Sequence, residues 1–279
     1  MTDPRPFGAH APQGFARWAI ERTRAMPNRW PARRLAFMLR RLAINTLAGA
    51  PVDTEALGAR MRLYPYNNIC EKKVLFTPQF FDAEELAVLE QRIRDGFTFV
   101  DIGANVGAYS LFVAAKAGPS ARILAVEPQP DVFDRLTYNI RQNPFGTVKA
   151  VACALADKPG ELTLFLDPRN KGESSVKIVG PSQAGTVRVP AVTLLDLLQE
   201  EGFTRVDAMK LDVEGAEDLI LDPFFSTAPP SLHPAFFIIE DGRGQWQMDL
   251  PGLLESKGYR LLVHTQLNLL YERAPGLGA

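Results

Sequence analysis

Cysteine and histidine are both scarce in this chain. Its two cysteines, Cys70 and Cys153, lie far apart and form neither a Cys-x-x-Cys pair nor a Cys/His cluster, which excludes a disulfide-stapled scaffold and a structural zinc site. Of its three histidines, His10 and His233 fall in proline-rich segments and His264 precedes an expected turn, so none stands beside a candidate nucleophile. No apolar run approaches the roughly 18 residues that a bilayer-spanning helix requires. The first 25 residues carry prolines and arginines where a secretion signal has an apolar stretch. A reducing compartment follows, and the cytoplasm is the expected location. Charge of one sign is lacking too: 31 basic residues against 32 acidic leave a net charge of −1, which gives no global attraction to nucleic acid. No internal repeat is present.

What is present is the balance of a soluble globular protein, 46% apolar and 23% charged, in a chain long enough for one large α/β domain. Residues 1–14 are rich in Pro, Gly and Ala and read as a mobile tail. Residues 15–25 and 33–47 space their apolar side chains as helices do, with Pro27 and Pro31 interrupting the join. Arg17, Arg22, Arg24, Arg29, Arg33, Arg34, Arg40 and Arg41 crowd this stretch. They read as a solvated helical surface, with a polyanion or membrane patch as the alternative. The expected organisation is a tail and helical extension over 1–55, a lid-like preface over 56–95 and the main domain over 96–279. The helical extension is also the place where a homodimer would form.

Residues 60–64 read as a short strand, and Asp82, three positions before Glu85, as the cap of a helix running to Arg94. From Phe97 onward strand-like and helix-like pieces alternate: 98–100, 107–117, 123–126, 131–142, 148–151, 206–211, 215–221 and 236–239. Short β-rich runs between helices of this kind predict a parallel sheet covered on both faces. Residues 259–264 and 267–271 are separated only by Thr265-Gln266, which predicts a closing hairpin and an antiparallel last strand.

In Asp101-Ile-Gly-Ala-Asn-Val-Gly107 a buried strand turns sharply into a helix, with Gly103 and Gly107 allowing close approach. Asp101 at the strand's carboxyl end would accept hydrogen bonds from an amine-bearing ligand and repel a pyrophosphate. Asn105 replaces the second glycine of the dinucleotide pattern and the third is missing, which disfavours a nicotinamide oxidoreductase. Glu127 ends the next strand, where a carboxylate can accept from both hydroxyls of an adenosyl ribose. Asp157, after the third strand, is either a partner for the adenine amino group or a solvated turn residue.

These residues carry a family resemblance. Asp-Ile-Gly-Ala-Asn-Val-Gly-x-Tyr-Ser at 101–110, Val-Glu-Pro at 126–128, Ala-Leu-Ala-Asp at 154–157 and Lys-Leu-Asp-Val-Glu-Gly-Ala-Glu at 210–217 resemble the FkbM-type methyltransferases, over roughly residues 60 to 272. The resemblance implies a Rossmann-like methyltransferase fold with a mostly parallel seven-stranded sheet. It also implies S-adenosylmethionine as cofactor and methyl transfer to a hydroxyl oxygen of a natural product or sugar. On that reading Asp101, Gly103, Asn105, Gly107, Glu127 and Asp157 hold the cofactor, the acceptor is a small molecule or glycan, and no nucleic acid is expected. Residues 1–55 lie outside the shared core.

Asp212 and Glu214 sit where a strand enters a helix, at the mouth of the crevice, and a carboxylate there would take the acceptor's proton. Glu217, in the first helical turn, would favour the helix dipole. Glu240 ends the following strand, so Asp212, Glu214 and Glu240 are the catalytic candidates. Asp212, Glu240 and Asp241 would suit Mg2+ by analogy with metal-dependent catechol methyltransferases, though converging acids also serve metal-free sites. Arg243 and Trp246 suit contact with a sugar or an anionic acceptor. Tyr64 and the aromatics at 76–81 would form a lid or pack the preface onto the sheet edge, and residues 167–186 read as an active-site flap or a disordered loop. The competing classes are a nucleic-acid or protein methyltransferase using the basic N-terminal stretch, a nicotinamide-dependent oxidoreductase, and a binding module that keeps the fold without the chemistry.

Overall fold

A computed structural model of the chain describes residues 3–166, 174–175 and 185–274. Two helices come first, α1 (Gly14–Arg24) and α2 (Trp30–Thr46), the second with Pro31 in its first turn, where the missing N–H does no harm. A hairpin of β1 (Val52–Ala56) and β2 (Ala59–Leu63) follows, so β1 straddles the expected division at residue 55. Then come α3 (Ile69–Phe76), capped by the Asn68 side chain accepting from the Glu71 N–H, and α4 (Ala83–Glu90).

The main sheet is built from β3 (Thr98–Ile102), β4 (Arg122–Val126) and β5 (Val148–Val151), with α5 (Ala108–Ala114) and α6 (Pro130–Arg141) as crossovers. The chain then makes β6 (Ala154–Leu155), β7 (Gly160–Leu166), β8 (Ser174–Ser175) and β9 (Gly185–Val192), which form a separate four-stranded sheet in the order β6-β9-β7-β8. Through α7 (Leu194–Glu200) it returns to the main sheet with β10 (Ala208–Leu211), α8 (Glu217–Thr227), β11 (Phe236–Glu240), α9 (Leu250–Ser256), β12 (Tyr259–His264) and β13 (Asn268–Arg273). The order is β5-β4-β3-β10-β11-β13-β12, parallel except for β13, which runs antiparallel to both of its neighbours. This is the Rossmann-like methyltransferase architecture, and its direction reverses between β3 and β10. At such a switch point the loops diverge and leave a crevice beyond the strands' carboxyl ends.

Alternation along each strand explains why both faces are covered. Phe99, Ile123, Ala208, Phe236 and Ile238 point to one apolar cluster, shared with α1, α3, α4 and α5. Val100, Ile102, Leu124, Val126, Met209, Leu211, Phe237 and Ile239 point to the other, closed by α7, α8 and α9. The expected closing hairpin is present as β12 and β13, with β13 inserted beside β11.

Residues 3–14 correct the expectation of a mobile tail for the part of it that the structure describes. Arg62 is fully buried, and all five of its N–H donors are used: on both carboxylate oxygens of Asp53 and on the carbonyls of Asp3, Arg5 and Pro6. Asp53 in turn accepts from the N–H groups of Gly8 and His10. A guanidinium without water needs every donor paired, so the segment is held down by the chemistry of Arg62. The helix expected from Asp82 to Arg94 ends at Glu90. Asp82 does not cap it: its φ is +40° and its side chain makes no cap bond, because its carboxylate accepts from Tyr109 Oη instead. The flap expected over 167–186 falls mostly outside the described residues.

Candidate active site

The turn after β3 is fixed by its neighbours. Gly103 has φ +74°, and a Cβ there would lie 1.9 Å from the Asp212 carbonyl oxygen at the end of β10. Only glycine fits, and the close neighbour is protein backbone. Asn105 adopts φ +51°, which a short amide side chain tolerates. Its Oδ1 accepts from the Val106 N–H at 2.9 Å and from Asn68 Nδ2 at 2.8 Å, tying the turn to the start of α3. Asp101 is buried; its Oδ2 accepts from the N–H and Oγ of Ser110, while its Oδ1 has no partner among the described residues. Burial raises the Asp101 pKa, opposed by Lys210 and Ser110.

Two cavities meet at this turn, sharing Gly103, Asn105, Asp212 and Glu214. The first lies between β4 and β10 and is walled by Ile102, Val126, Leu155, Leu164 and Val213, with Glu127 at one side. Glu127 accepts from the N–H groups of Asn105 and Gln129, and burial pushes its pKa up to about 7. The slot is therefore mainly apolar, with Glu127 at one edge and Asp212 and Glu214 where it meets the second cavity.

The second cavity is acidic. Asp82, Asp101, Asp212, Glu214 and Glu240 line it together with Lys210, Tyr109, Asn68 and Asn268. Lys210, 4% exposed, projects from β10 and donates from Nζ to Asp212 Oδ2 at 2.7 Å. Burial works against its charge, but Asp212, Asp101 and Asp82 outweigh that and hold its pKa above the usual lysine value. Glu240 carries the opposite imbalance: burial, then the charges of Asp212, Glu214 and Glu217, push its pKa far above the carboxylate range. Asp82 is raised by burial and by Glu85. Two lysines, the buried Lys210 and the half-buried Lys73, face five carboxyl groups, and the acidic surplus suits a ligand that brings positive charge. Ligand atoms of Asp212, Glu214 and Glu240 lie within 4.8 Å of one another.

Other expected site residues lie elsewhere. Asp241 points away from the acid group onto Arg243 and His264, with its pKa lowered to about 2, chiefly by the Arg243 guanidinium. Arg243 is engaged in that pair and Trp246 donates from Nε1 to Glu217 Oε2; neither lines a cavity described above. Tyr64 lies under the Arg135 guanidinium and its hydroxyl accepts from the Asp3 N–H, also away from both cavities. Asp157 is exposed, and its neighbours Ala154 and Leu155 line the slot in its place. Glu217 does more than favour a helix dipole: it is fully buried and accepts from the N–H groups of Val213 and Gly215, shaping the turn that presents Asp212 and Glu214. Lys210, Asp82 and Tyr109 are the site residues that sequence reasoning missed. For Lys210 a signal existed, since a lysine in an otherwise apolar strand needs a buried partner.

The family profile of the methyltransferase FkbM domain matches residues 101–261. Methyltransferase sdnD of Sordaria araneosa is 36% identical over 42% of this chain and 56% of its own. Hexuronic acid methyltransferase AglP of Haloferax volcanii is 30% identical over 47% of this chain and 50% of its own. The 31-O-demethyl-FK506 methyltransferase FkbM of Streptomyces tacrolimicus is 26% identical over 46% of this chain and 60% of its own. The chain thus spans about half the length of the relatives it matches. The family match runs from β3 into β12, the stretch that builds the switch point, the apolar slot and the Asp101, Lys210, Asp212, Glu214 and Glu240 side of the acidic cavity, and the chain belongs to the FkbM methyltransferase domain family.

Proposed function

We propose that this chain is an S-adenosylmethionine-dependent methyltransferase that methylates a hydroxyl oxygen of a small molecule or sugar. The observation that carries the reading is the unpartnered, buried Asp101 Oδ1 in the acidic cavity, on the strand whose following turn, at Gly103 and Asn105, joins that cavity to the apolar slot. The residues fit the cofactor. Glu127 would accept from the ribose hydroxyls, Ile102, Val126 and Leu155 would pack against the adenine, and Asp101 would accept from the ammonium of the methionine part. The acid surplus answers a sulfonium as well.

When bound, S-adenosylmethionine supplies a methyl carbon already joined to a good leaving group. What remains for the chain is alignment and removal of one proton. Glu240 and Asp212 face the acidic cavity where an acceptor hydroxyl would lie. Asp212 is oriented by Lys210, and an ionised Glu240, given its raised pKa, binds a proton more tightly than an ordinary carboxylate. Tyr109 and Phe81 line that cavity and give it an apolar side. A relative named for a hexuronic acid acceptor supports a sugar on this side.

The test is native mass spectrometry of the purified chain followed by calorimetry with S-adenosylmethionine and with a reduced nicotinamide cofactor. Co-purified S-adenosylmethionine or its demethylated product, and calorimetric binding of the former alone, are the expected results. Absence of both would overturn the reading.

A further inference from the structure

Three seven-residue spacings coincide on the outer side of α2: Trp30 with Phe37, Arg34 with Arg41, and Leu35 with Leu42. Members of each pair are two turns apart and share a row along the helix. All six are exposed, Trp30 to 69% and Phe37 to 54%, and Met38 beside them is exposed to 63%. The opposite side carries the buried Ala36 and Ala43. α1 adds exposed Phe15 and Trp18. Between residues 14 and 50 the sequence holds eight arginines and one acid, Glu21. Guanidinium groups lie over the aromatics, Arg34 at 4.8 Å above Trp30 and Arg40 at 4.5 Å above Phe37.

We propose that the α1–α2 pair is a docking surface for an anionic lipid bilayer. Trp30, Phe37, Met38 and Leu42 enter the headgroup boundary, and Arg34 and Arg41 meet lipid phosphates. An aromatic and aliphatic face interleaved with arginine has the chemistry of a helix lying in the plane of an interface. Among the described residues no helix is long and apolar enough to cross a membrane, so the contact is peripheral. Charge complementarity selects the occupant. A second copy on the same face would set arginine rows against arginine rows. Nucleic acid would answer the arginines but leave Leu35, Met38 and Leu42 in water. The face also adjoins the crevice: a cleft lined by Arg33, Phe37, Arg40 and Phe80 is closed by Ile69 and Lys73, which line the acidic cavity as well. Docking therefore sets the cavity mouth beside the lipid surface.

The test floats the full chain with phosphatidylcholine vesicles, with and without phosphatidylglycerol. Flotation with the anionic vesicles alone is expected, and brominated acyl chains should quench the tryptophan emission. R34E/R41E and L35S/L42S should each lower the bound fraction about ten-fold or more, with unchanged unfolding midpoints and unchanged S-adenosylmethionine binding. Three outcomes overturn the proposal. The first is no flotation of the unaltered chain. The second is loss in R34E/R41E alone with full binding by L35S/L42S, which would assign the arginines to a soluble polyanion such as RNA. The third is a dimer in sedimentation that L35S/L42S dissociates without any vesicle binding.

Discussion

Lys210 Nζ donates to Asp212 Oδ2 at 2.7 Å from a position that is 4% exposed, and the same ammonium is surrounded by Asp101 and Asp82. It offsets the repulsion among these acids, and Lys73, which also lines the cavity, adds to that relief at Asp82. In Lys210→Met those acids lose the offset, and because the Asp212 side chain is partly exposed the cost is about 1–3 kcal/mol, below that of breaking a fully buried pair. The sign with pH is fixed. Asp101, Asp82 and Glu240 already have raised pKa values in the folded chain. Their ionisation destabilises the fold as pH rises, and the variant enlarges that effect. Urea unfolding at pH 5 and pH 8 should show the deficit mainly at pH 8.

Asp101→Asn keeps the size of the side chain and removes its charge. The Ser110 Oγ can turn to serve the amide, so the fold should hold, while the charge-assisted bond to a ligand ammonium is lost. A loss of about 1.5–3 kcal/mol raises the S-adenosylmethionine dissociation constant roughly 10- to 150-fold. Calorimetry reads this directly, and an unchanged affinity would remove Asp101 from the cofactor site.

Burial holds the Glu127 carboxyl at about 7, so near neutrality a large part of it is protonated in the free chain. Ribose hydroxyls are best served by an ionised carboxylate, which only accepts. Affinity for S-adenosylmethionine should therefore rise with pH through about 7, and binding below that point should release protons. Calorimetry in buffers of differing ionisation enthalpy measures the release. Glu127→Gln should bind more weakly and lose this pH dependence.

Turnover separates the roles of the two acids at the cavity mouth. Removing a general base typically costs 10²–10⁴-fold, an order-of-magnitude figure. Asp212→Asn and Glu240→Gln should both spare cofactor binding and depress kcat, and only Glu240→Gln should flatten the rise of kcat toward alkaline pH that its raised pKa dictates. Exhaustive chelation should leave turnover intact, since Lys210 already supplies the positive charge at Asp212 that a cation would bring.

The core was legible because its signals are local. Asp101 to Gly107 had to be a sharp turn, and Glu127 had to end the next strand. The pairing of the last two strands was legible for the same reason, Thr265 and Gln266 leaving room for nothing but a hairpin, whereas the insertion of β13 beside β11 was not. The four-stranded side sheet was not: β7 and β9 have few buried positions, and among the described residues their buried core is limited to Ala154, Leu164, Val189 and Ala191. Asp82 was misread because a capping box depends on sequence neighbours alone. Its carboxylate is claimed by Tyr109, and Glu85 accepts from Thr265 and Asn268, at the far end of the chain. Asp241 looked equivalent to Glu240, but successive strand-end residues face opposite ways and Arg243 captures the second one.

Gly103 meets the Asp212 carbonyl with no room for a methyl group between them. The turn that would grip the cofactor and the turn that presents the acids are thus in backbone contact across the switch point, and neither can be displaced alone. Such a joint behaves as a template whose two halves share one register. Any side chain introduced at 103 would shift Asp212 and Glu214 together, so damage to one half would read out first as misplacement in the other.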